Sequence, residues 1–393
     1  MLLKKYDIRK MLLVLFVFTI PNSVVLNNLF LWLIILYWIF KGDKQDTLQI
    51  IKHNIIAKIS LIYFSILTVS LLWSPDLKEG LEVIFKEKYF LFLPVFMSLI
   101  KENERELLIK TFILSVTLSE LISYGVKLNI LPEMFHATRY EPVPFIHHVQ
   151  YSPFVAFGSF LLMYYFLFVK SSKRAKALEF FFIVTMCINL FLTGGRAGQV
   201  VYFFLLIYTF FYLFKFSFKS MLAVIIIIPL LFGIFYSFGG IFKERVNMAI
   251  YNVLHFNKNK NTSIGERLVF WQNTIHLAKQ KPILGYGTGS FKKIYGNYSK
   301  KVTPNIRIPA QPHNMYLFVF FQTGIIGLSV FLYLFYKMFE YGLKINDRYK
   351  FVRLGFVGYF LIIMLSDSYL FSHFHQSLFV IFTAVLYKRL NYE

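Results

Sequence analysis

AQPHNMYLFVFFQTGIIG, residues 310–327, sets a proline, a histidine and an asparagine at the mouth of a long apolar run that halts at Gln322-Thr323-Gly324. Runs of this kind recur along the chain at roughly 18–20 residues, the length that crosses a hydrocarbon core of about 30 Å. Backbone in lipid must satisfy its own hydrogen bonds, so such runs read as helices. The short alternating segments of a membrane barrel are absent. Composition agrees, with 57% of the 393 residues hydrophobic, 20% aromatic and only 16% charged. The expected fold is therefore an all-α polytopic membrane protein. His313 then poses a question, because an ionisable ring is costly within a bilayer and ordinary at its edge.

Twelve spans are expected, at roughly 8–22, 24–40, 55–73, 84–100, 107–126, 149–169, 178–193, 197–214, 220–238, 313–336, 354–369 and 373–387. The first two form a tight hairpin near Pro21-Asn22. The N-terminus resembles a signal peptide but lacks a small-residue cleavage site, so it reads as a retained span. The expected layout is a membrane bundle over 1–238 with about nine spans, a large loop over 239–312, and C-terminal spans over 313–393.

The net charge of +22 would suit a nucleic-acid surface, but the charges sit at the ends of apolar runs and not on one aromatic-interleaved face. One set of alternate short connections holds 24 Lys and Arg residues, from Lys4, Lys5 and Arg9 through Lys110 and Lys176 to Lys388 and Arg389. The opposite set holds six: Lys78, Lys86, Lys88, Lys127, Arg139 and Arg196. The other twelve lie in the 74-residue loop 239–312, which is too long to obey the positive-inside rule. Both termini are thus expected to be cytoplasmic and the long loop outside. Of nine histidines only His53 falls inside, so any chemistry is expected on the outer face. Cys187, the single cysteine, excludes a disulfide framework.

Three clusters reach that face. Thr193-Gly194-Gly195-Arg196-Ala197-Gly198 joins two spans; its Arg reads either as a functional cation or as one snorkelling to headgroups. Gly265-Glu266-Arg267-Leu268-Val269-Phe270-Trp271 begins a helix-like segment, Glu266–Lys279, that Thr262 or Ser263 can cap. Pro282-Ile283-Leu284-Gly285-Tyr286-Gly287-Thr288-Gly289 follows it. No βαβ unit precedes this glycine-rich stretch and no Gly-Lys-Ser/Thr ends it, so it reads as a tight loop returning the chain to the membrane. The third cluster is the opening stretch. Pro312 suits a helix start, which places His313 in the first turn of a span where free N–H groups favour an anion. There His313 reads as a base, as a phosphate ligand, or as an interfacial bystander with Asn314 as a local cap.

In this order, the set Gly195-Arg196-Ala197-Gly198, Arg267 with Trp271, Pro282–Gly287, His313-Asn314 and Gly324-Ile325-Ile326-Gly327 resembles the O-antigen ligase and polymerase superfamily. The detailed likeness covers roughly residues 190–330. One departure is Gly195, where many relatives carry Ser. The resemblance implies a membrane-embedded, inverting, metal-independent glycosyltransferase with no cofactor. It would act at the periplasmic face of a bacterial inner membrane. Its donor would be an undecaprenyl-diphosphate-linked glycan and its acceptor lipid A-core, with membrane lipids around it and no nucleic acid. By the same likeness Arg196 and Arg267 would hold the donor diphosphate, as planar guanidinium groups suit phosphate. His313 would be the base toward the acceptor hydroxyl or a further phosphate ligand.

Lys88, Arg139, His148, Asn314 and Trp271 are secondary candidates for diphosphate or acceptor binding. Lys86 reads as snorkelling, while Glu141 and His147 could line an acceptor cleft. Asp367 reads as a second carboxylate or the partner of a nearby cation. His373-Phe374-His375 has a spacing some metal sites use, but no metal is expected, since no matched Cys or carboxylate set accompanies it. The repeat-unit polymerase and a protein-glycosylating ligase are the neighbouring readings. The single large outer loop favours ligase. A transporter is the reading from another class, but no internal repeat supports it.

Overall fold

The computed structural model describes residues 7–388, so Lys4, Lys5 and Arg389 lie outside the described residues. Within them the chain is helical, without a β-strand. In chain order the α-helices are α1 Ile8–Thr19, α2 Val24–Lys41, α3 Lys44–His53, α4 Ile55–Val69, α5 Leu77–Lys86, α6 Lys88–Leu99, α7 Arg105–Lys127, α8 His148–Phe168 and α9 Lys173–Leu192. There follow α10 Arg196–Phe214, α11 Phe218–Ser237, α12 Gly240–Leu254, α13 Ser263–Ala278, α14 Phe291–Val302, α15 Met315–Lys344, α16 Lys350–Ile363 and α17 His373–Tyr387.

Among the described residues eight helical segments are long and apolar enough to cross a membrane: α2, α4 with its 3-10 extension to Trp73, α7 from Glu102, α8, α9, α10, α11 and α15. Helix α11 makes the case for hydrocarbon most simply, because only 6% of its apolar window is buried within the chain. Exposed Ile225, Ile226 and Leu230 would be untenable in water over such a length. The other four expected spans appear as shorter helices: α1, α6, α16 and α17, of 12, 12, 14 and 15 residues.

Two of these departures can be placed along the chain. The expected span 84–100 divides at Glu87 into α5 and α6; the Glu87 carboxylate is buried and accepts from Gln376 Nε2 at 3.1 Å. Pro94 then sits inside α6, where it supplies no N–H to the Phe90 carbonyl four residues earlier. Ser60 Oγ of α4 donates to that carbonyl at 2.6 Å. The expected span 354–369 ends as α-helix at Ile363, and residues 364–372 form turns that carry Asp367 and a short 3-10 helix, Tyr369–Phe371.

The chain forms two compact units of interleaved segments. The first comprises Met1–Gly42, Ile100–Asn247 and Ile345–Ile363. Here the α1–α2 hairpin turns at Pro21, and buried Asn27 donates back to the Phe16 carbonyl at 2.8 Å. Arg9 makes a two-pronged ion pair with Glu104 at 2.6 and 2.7 Å, and Arg353, 1% exposed, pairs with Asp347 at 2.6 Å. These pairs give the buried cations partners in kind.

The second unit comprises Asp43–Leu99, Met248–Lys344 and Met364–Glu393. Its central feature is a break in α15 at Gly324, whose φ of 63° and ψ of −162° are not helical. The glycine-rich loop takes up the backbone groups that the break frees. Tyr286 and Gly287 donate to the Phe321 and Gln322 carbonyls at 2.9 and 2.8 Å, and Ile325 N–H donates to the Pro282 carbonyl at 2.8 Å. A Cβ on Gly324 would lie 2.1 Å from the Ile283 carbonyl oxygen, and one on Gly285 would lie 2.5 Å from the Gln322 carbonyl carbon. Both glycines also have positive φ, so the contact requires them twice over. Gly324→Ala is expected to lower stability by at least about 2–3 kcal/mol, read as the thermal midpoint of the detergent-purified protein. A midpoint equal to wild type would contradict this backbone interlock. Ser60→Ala should cost about 1–3 kcal/mol, the penalty for a stranded buried carbonyl, in the same measurement.

Candidate functional site

In the second unit the chain enters α15 through Gln311-Pro312-His313-Asn314. The helix starts at Met315, so His313 precedes the first turn and does not lie in it as expected; its φ is +53°. Asn314 occupies the cap instead. Its Oδ1 accepts from Leu317 N–H and its Nδ2 donates to the Leu365 carbonyl, each at 3.1 Å. Both ends of the Asn314 amide are therefore bonded within the protein.

A left-handed residue without glycine's freedom is strained unless its surroundings hold it. Gln311 does so, because its Oε1 accepts the His313 backbone N–H at 2.6 Å and the Ser368 hydroxyl at 2.6 Å. Gln311 Nε2 donates to Asp367 Oδ1 at 2.6 Å and lies 3.2 Å from His313 Nδ1. His313 Nδ1 stands 3.3 Å from Asp367 Oδ1, with the two side chains 19% and 14% exposed. Burial would raise the Asp367 carboxyl, but the contacts with His313, Gln311 and the Ser368 N–H outweigh it and hold the group below the ordinary range. With the proton on Nδ1, toward Asp367, His313 leaves Nε2 as a lone-pair acceptor; with Nδ1 accepting from Gln311 Nε2, the proton sits on Nε2. The sign for stability follows: the Asp367 contribution is complete above the ordinary Asp value of about 3.9 and is lost as pH falls through the lower folded value.

Helix α13 supplies the other wall. Thr262 caps it by accepting from Gly265 N–H at 3.0 Å, one of the two caps expected. Phe270 lies parallel to the His313 ring with centroids 5.9 Å apart. The Arg307 guanidinium covers Phe270 at 5.4 Å and bonds Glu266 at 2.6 Å. Arg267, half-buried on the first turns of α13, is near enough to act electrostatically on Tyr369, two residues beyond Asp367. The buried indole N–H of Trp271 makes no hydrogen bond among the described residues. Lys88 heads α6 in the same unit; its ammonium donates to the Phe85 carbonyl at 3.2 Å and lies 4.4 Å from the Phe85 ring centroid. Lys86 covers the Phe371 ring at 4.6 Å.

The first unit holds the other cluster. Arg196 is the first residue of α10, so its turn presents a helix N-terminus. Gly194 N–H donates to Glu141 Oε1 at 3.0 Å, and His148 Nδ1 meets the same oxygen at 2.9 Å. The His148 bond holds the Glu141 carboxyl below its ordinary range against the burial that would raise it. His147 caps α8 and its ring lies 4.0 Å from that of His148. Arg139 is exposed in the loop between α7 and α8, its backbone N–H donating to Glu133 at 2.8 Å. At Gly195, the departure noted above, a Cβ would fall 2.0 Å from Ser152 Oγ of α8. A hydroxyl is thus present at this turn, delivered from the neighbouring helix.

The structure brings His313, Asp367 and the α13 face together in one unit, and Arg196, Glu141 and His148 in the other. Gln311 and Ser368 were not foreseen; the only signal was Gln311's place two residues before His313. Among the described residues no group of three or more His, Cys, Asp or Glu is arranged to hold a metal ion.

These features define a polytopic all-helical membrane protein with polar clusters built at the breaks between its helices. Residues 181–332, which run from the Arg196 turn to beyond the Gly324 break, match the family described as O-antigen ligase, so the likeness drawn from the motifs is borne out over that stretch. A Rickettsia conorii protein named as a candidate polysaccharide ligase is 34% identical over 110 residues, 26% of this chain and 27% of its own length. The O-antigen ligase of Salmonella typhimurium is 24% identical over 317 residues, 76% of this chain and 73% of its own. An uncharacterized protein of Haemophilus influenzae is 24% identical over 287 residues, 68% and 67% of the two chains. The match thus spans about a quarter of the Rickettsia relative's length.

Asp367→Asn is expected to reduce the share of the Nδ1–H tautomer of His313, read from imidazole 15N shifts of the purified protein; unchanged shifts would remove Asp367 from the pair. Gly195→Ser should impair folding through the clash with Ser152. Adding Ser152→Gly should recover part of the folded yield, since the His148 carbonyl oxygen, 2.8 Å from the new Cβ, still crowds it.

Proposed function

We propose that this protein is an O-antigen ligase. It transfers a polysaccharide from an undecaprenyl diphosphate carrier to lipid A-core at the periplasmic face of the inner membrane. The proposed topology has twelve spans, both termini in the cytoplasm and loop 239–312 outside, in keeping with the Lys and Arg asymmetry. The observation that carries the reading is the His313–Asp367 contact at 3.3 Å, held by Gln311 beside the Arg267 helix. The family match over 181–332 and the printed name of the Salmonella relative supply the reaction class.

In this mechanism His313 Nε2 takes the proton of the acceptor hydroxyl as that oxygen bonds the anomeric carbon. The bond from that carbon to the diphosphate breaks, and the diphosphate leaves with both electrons. A single displacement inverts the anomeric centre. Asp367 holds the ring in its tautomer and stabilises the imidazolium that forms. Arg267 offers bidentate contact to the leaving diphosphate, which offsets its growing charge without a metal. Arg196 is proposed separately as a phosphate-binding residue, and the secondary candidates as weaker contacts to diphosphate or acceptor. Using the donor itself as acceptor would make a repeat-unit polymerase.

In cells, His313→Ala and Arg267→Ala should each abolish capped lipopolysaccharide while long polymer accumulates on its carrier. With purified protein, His313→Ala should slow transfer by about 10²–10⁴-fold, the range of a general base. Arg267→Lys should stay impaired, since lysine cannot form the fork. Loss of the long polymer itself would indicate a polymerase, and unaltered lipopolysaccharide in both alanine variants would refute the reading.

A further inference from the structure

A cavity of about 250 Å³ lies in the first unit among α7, α8 and α9, bounded by Lys110, Ile113, Leu114, Leu162, Tyr165 and Glu179 with neighbouring apolar side chains. Its lining is mostly apolar, with Lys110, Thr117, Tyr165 and Glu179 as the polar members. Tyr165 is 5% exposed, and its hydroxyl is buried without a hydrogen-bond partner among the described residues. The Lys110 ammonium stands over the Tyr165 ring, 5.4 Å from its centroid, and pairs with Glu106 at 2.6 Å. Glu179 pairs with Lys176 at 3.4 Å. Lys176 also donates to the Tyr165, Phe166 and Val169 carbonyls at 2.7, 2.5 and 2.7 Å, so its donors are occupied.

The three helices meet here at one end: the start of α7, the end of α8 and the start of α9. It is the end rich in cations, with Lys170, Lys173, Arg174 and Lys176 in and after the α8–α9 connection. The Glu141–His148 pair belongs to the opposite end of α8, so this cavity is not part of either cluster described above.

A stranded phenol O–H on a side chain that lines an apolar cavity calls for an acceptor that arrives with an apolar body. The ammonium beside it favours a phosphate. We propose that this cavity is a binding site for one glycerophospholipid of the leaflet on the Lys-rich side. One acyl chain lies against Ile113, Leu114 and Leu162. A phosphate or ester oxygen accepts from Tyr165 Oη–H, and Lys110 neutralises the phosphate. The phospholipid is a structural ligand at the Lys-rich end, away from the proposed chemistry.

The test uses the full chain purified in detergent and native mass spectrometry. Dioleoylphosphatidylglycerol is titrated against dioleoylglycerol, which has the same chains and no phosphate. Wild type is expected to hold one phospholipid at concentrations where the diacylglycerol does not bind. Tyr165→Phe, which removes one oxygen, and Lys110→Gln should each weaken binding by about 5- to 10-fold, the scale of one hydrogen bond. Leu114→Trp, which puts an indole into the cavity, should abolish the bound species. Equal binding of the two lipids overturns the proposal, as does wild-type affinity in both polar variants or a bound lipid retained by Leu114→Trp. Thermal midpoints of the lipid-free variants, expected near wild type, separate lost binding from lost fold.

Discussion

The broken helix α15 and the loop that closes it are the contact on which the second unit depends. A helix interrupted at membrane depth strands carbonyls and amides that lipid cannot satisfy. Here Tyr286, Gly287 and Pro282 meet those groups through their own backbone. The loop is then fixed from its far side, where Thr288 shares a 2.6 Å hydroxyl contact with Ser70 at the end of α4 and Gly289 N–H donates to Gln322 Oε1 at 2.8 Å. Helices α4 and α15 are thus joined through a segment that has no helical structure of its own. Glycine is needed because backbone meets backbone with no space between.

The same economy recurs wherever a helix stops early. Glu87 divides α5 from α6 and takes Gln376 as its donor. The end of α16 releases residues 364–372, and that turn brings Asp367 to His313 while Met364 and Leu365 accept from Met315 and Asn314. In the first unit the turn before Arg196 uses Gly194 N–H to hold Glu141. Polar chemistry gathers at these breaks because irregular backbone is tolerated there only when protein groups satisfy it. The groups that do so are close enough to act on one another.

How much of the site was legible can be judged residue by residue. His313, Arg267 and Arg196 could be singled out because an ionisable group beside an apolar run is costly without a purpose. The Thr262 cap and the start of α13 followed from local rules that need only a few consecutive residues. Gln311 was not legible, since a glutamine in a loop carries no pattern. Its role comes from reaching three groups at once, two of them on a segment more than fifty residues away in sequence. The helical placement of His313 failed for a related reason. Pro312 permits a helix after it, but Asn314 makes the better cap and the Gln311 side chain can hold the left-handed residue between them.

Sequence alone determined that this is a helical membrane protein and, within a few residues, where most of its long helices run. It also determined which families its motifs resemble. Those properties depend on hydrophobic run length and on charges near one another in the chain, and both are local. Tertiary structure alone decided where helices break, which carboxylate faces His313, and that Ser152 supplies a hydroxyl beside Gly195. It also decided that Tyr165 lines a cavity. Each of these depends on a hydrogen bond or a close approach between segments distant in sequence. No period or composition records such contacts, because they exist only once the helices have packed.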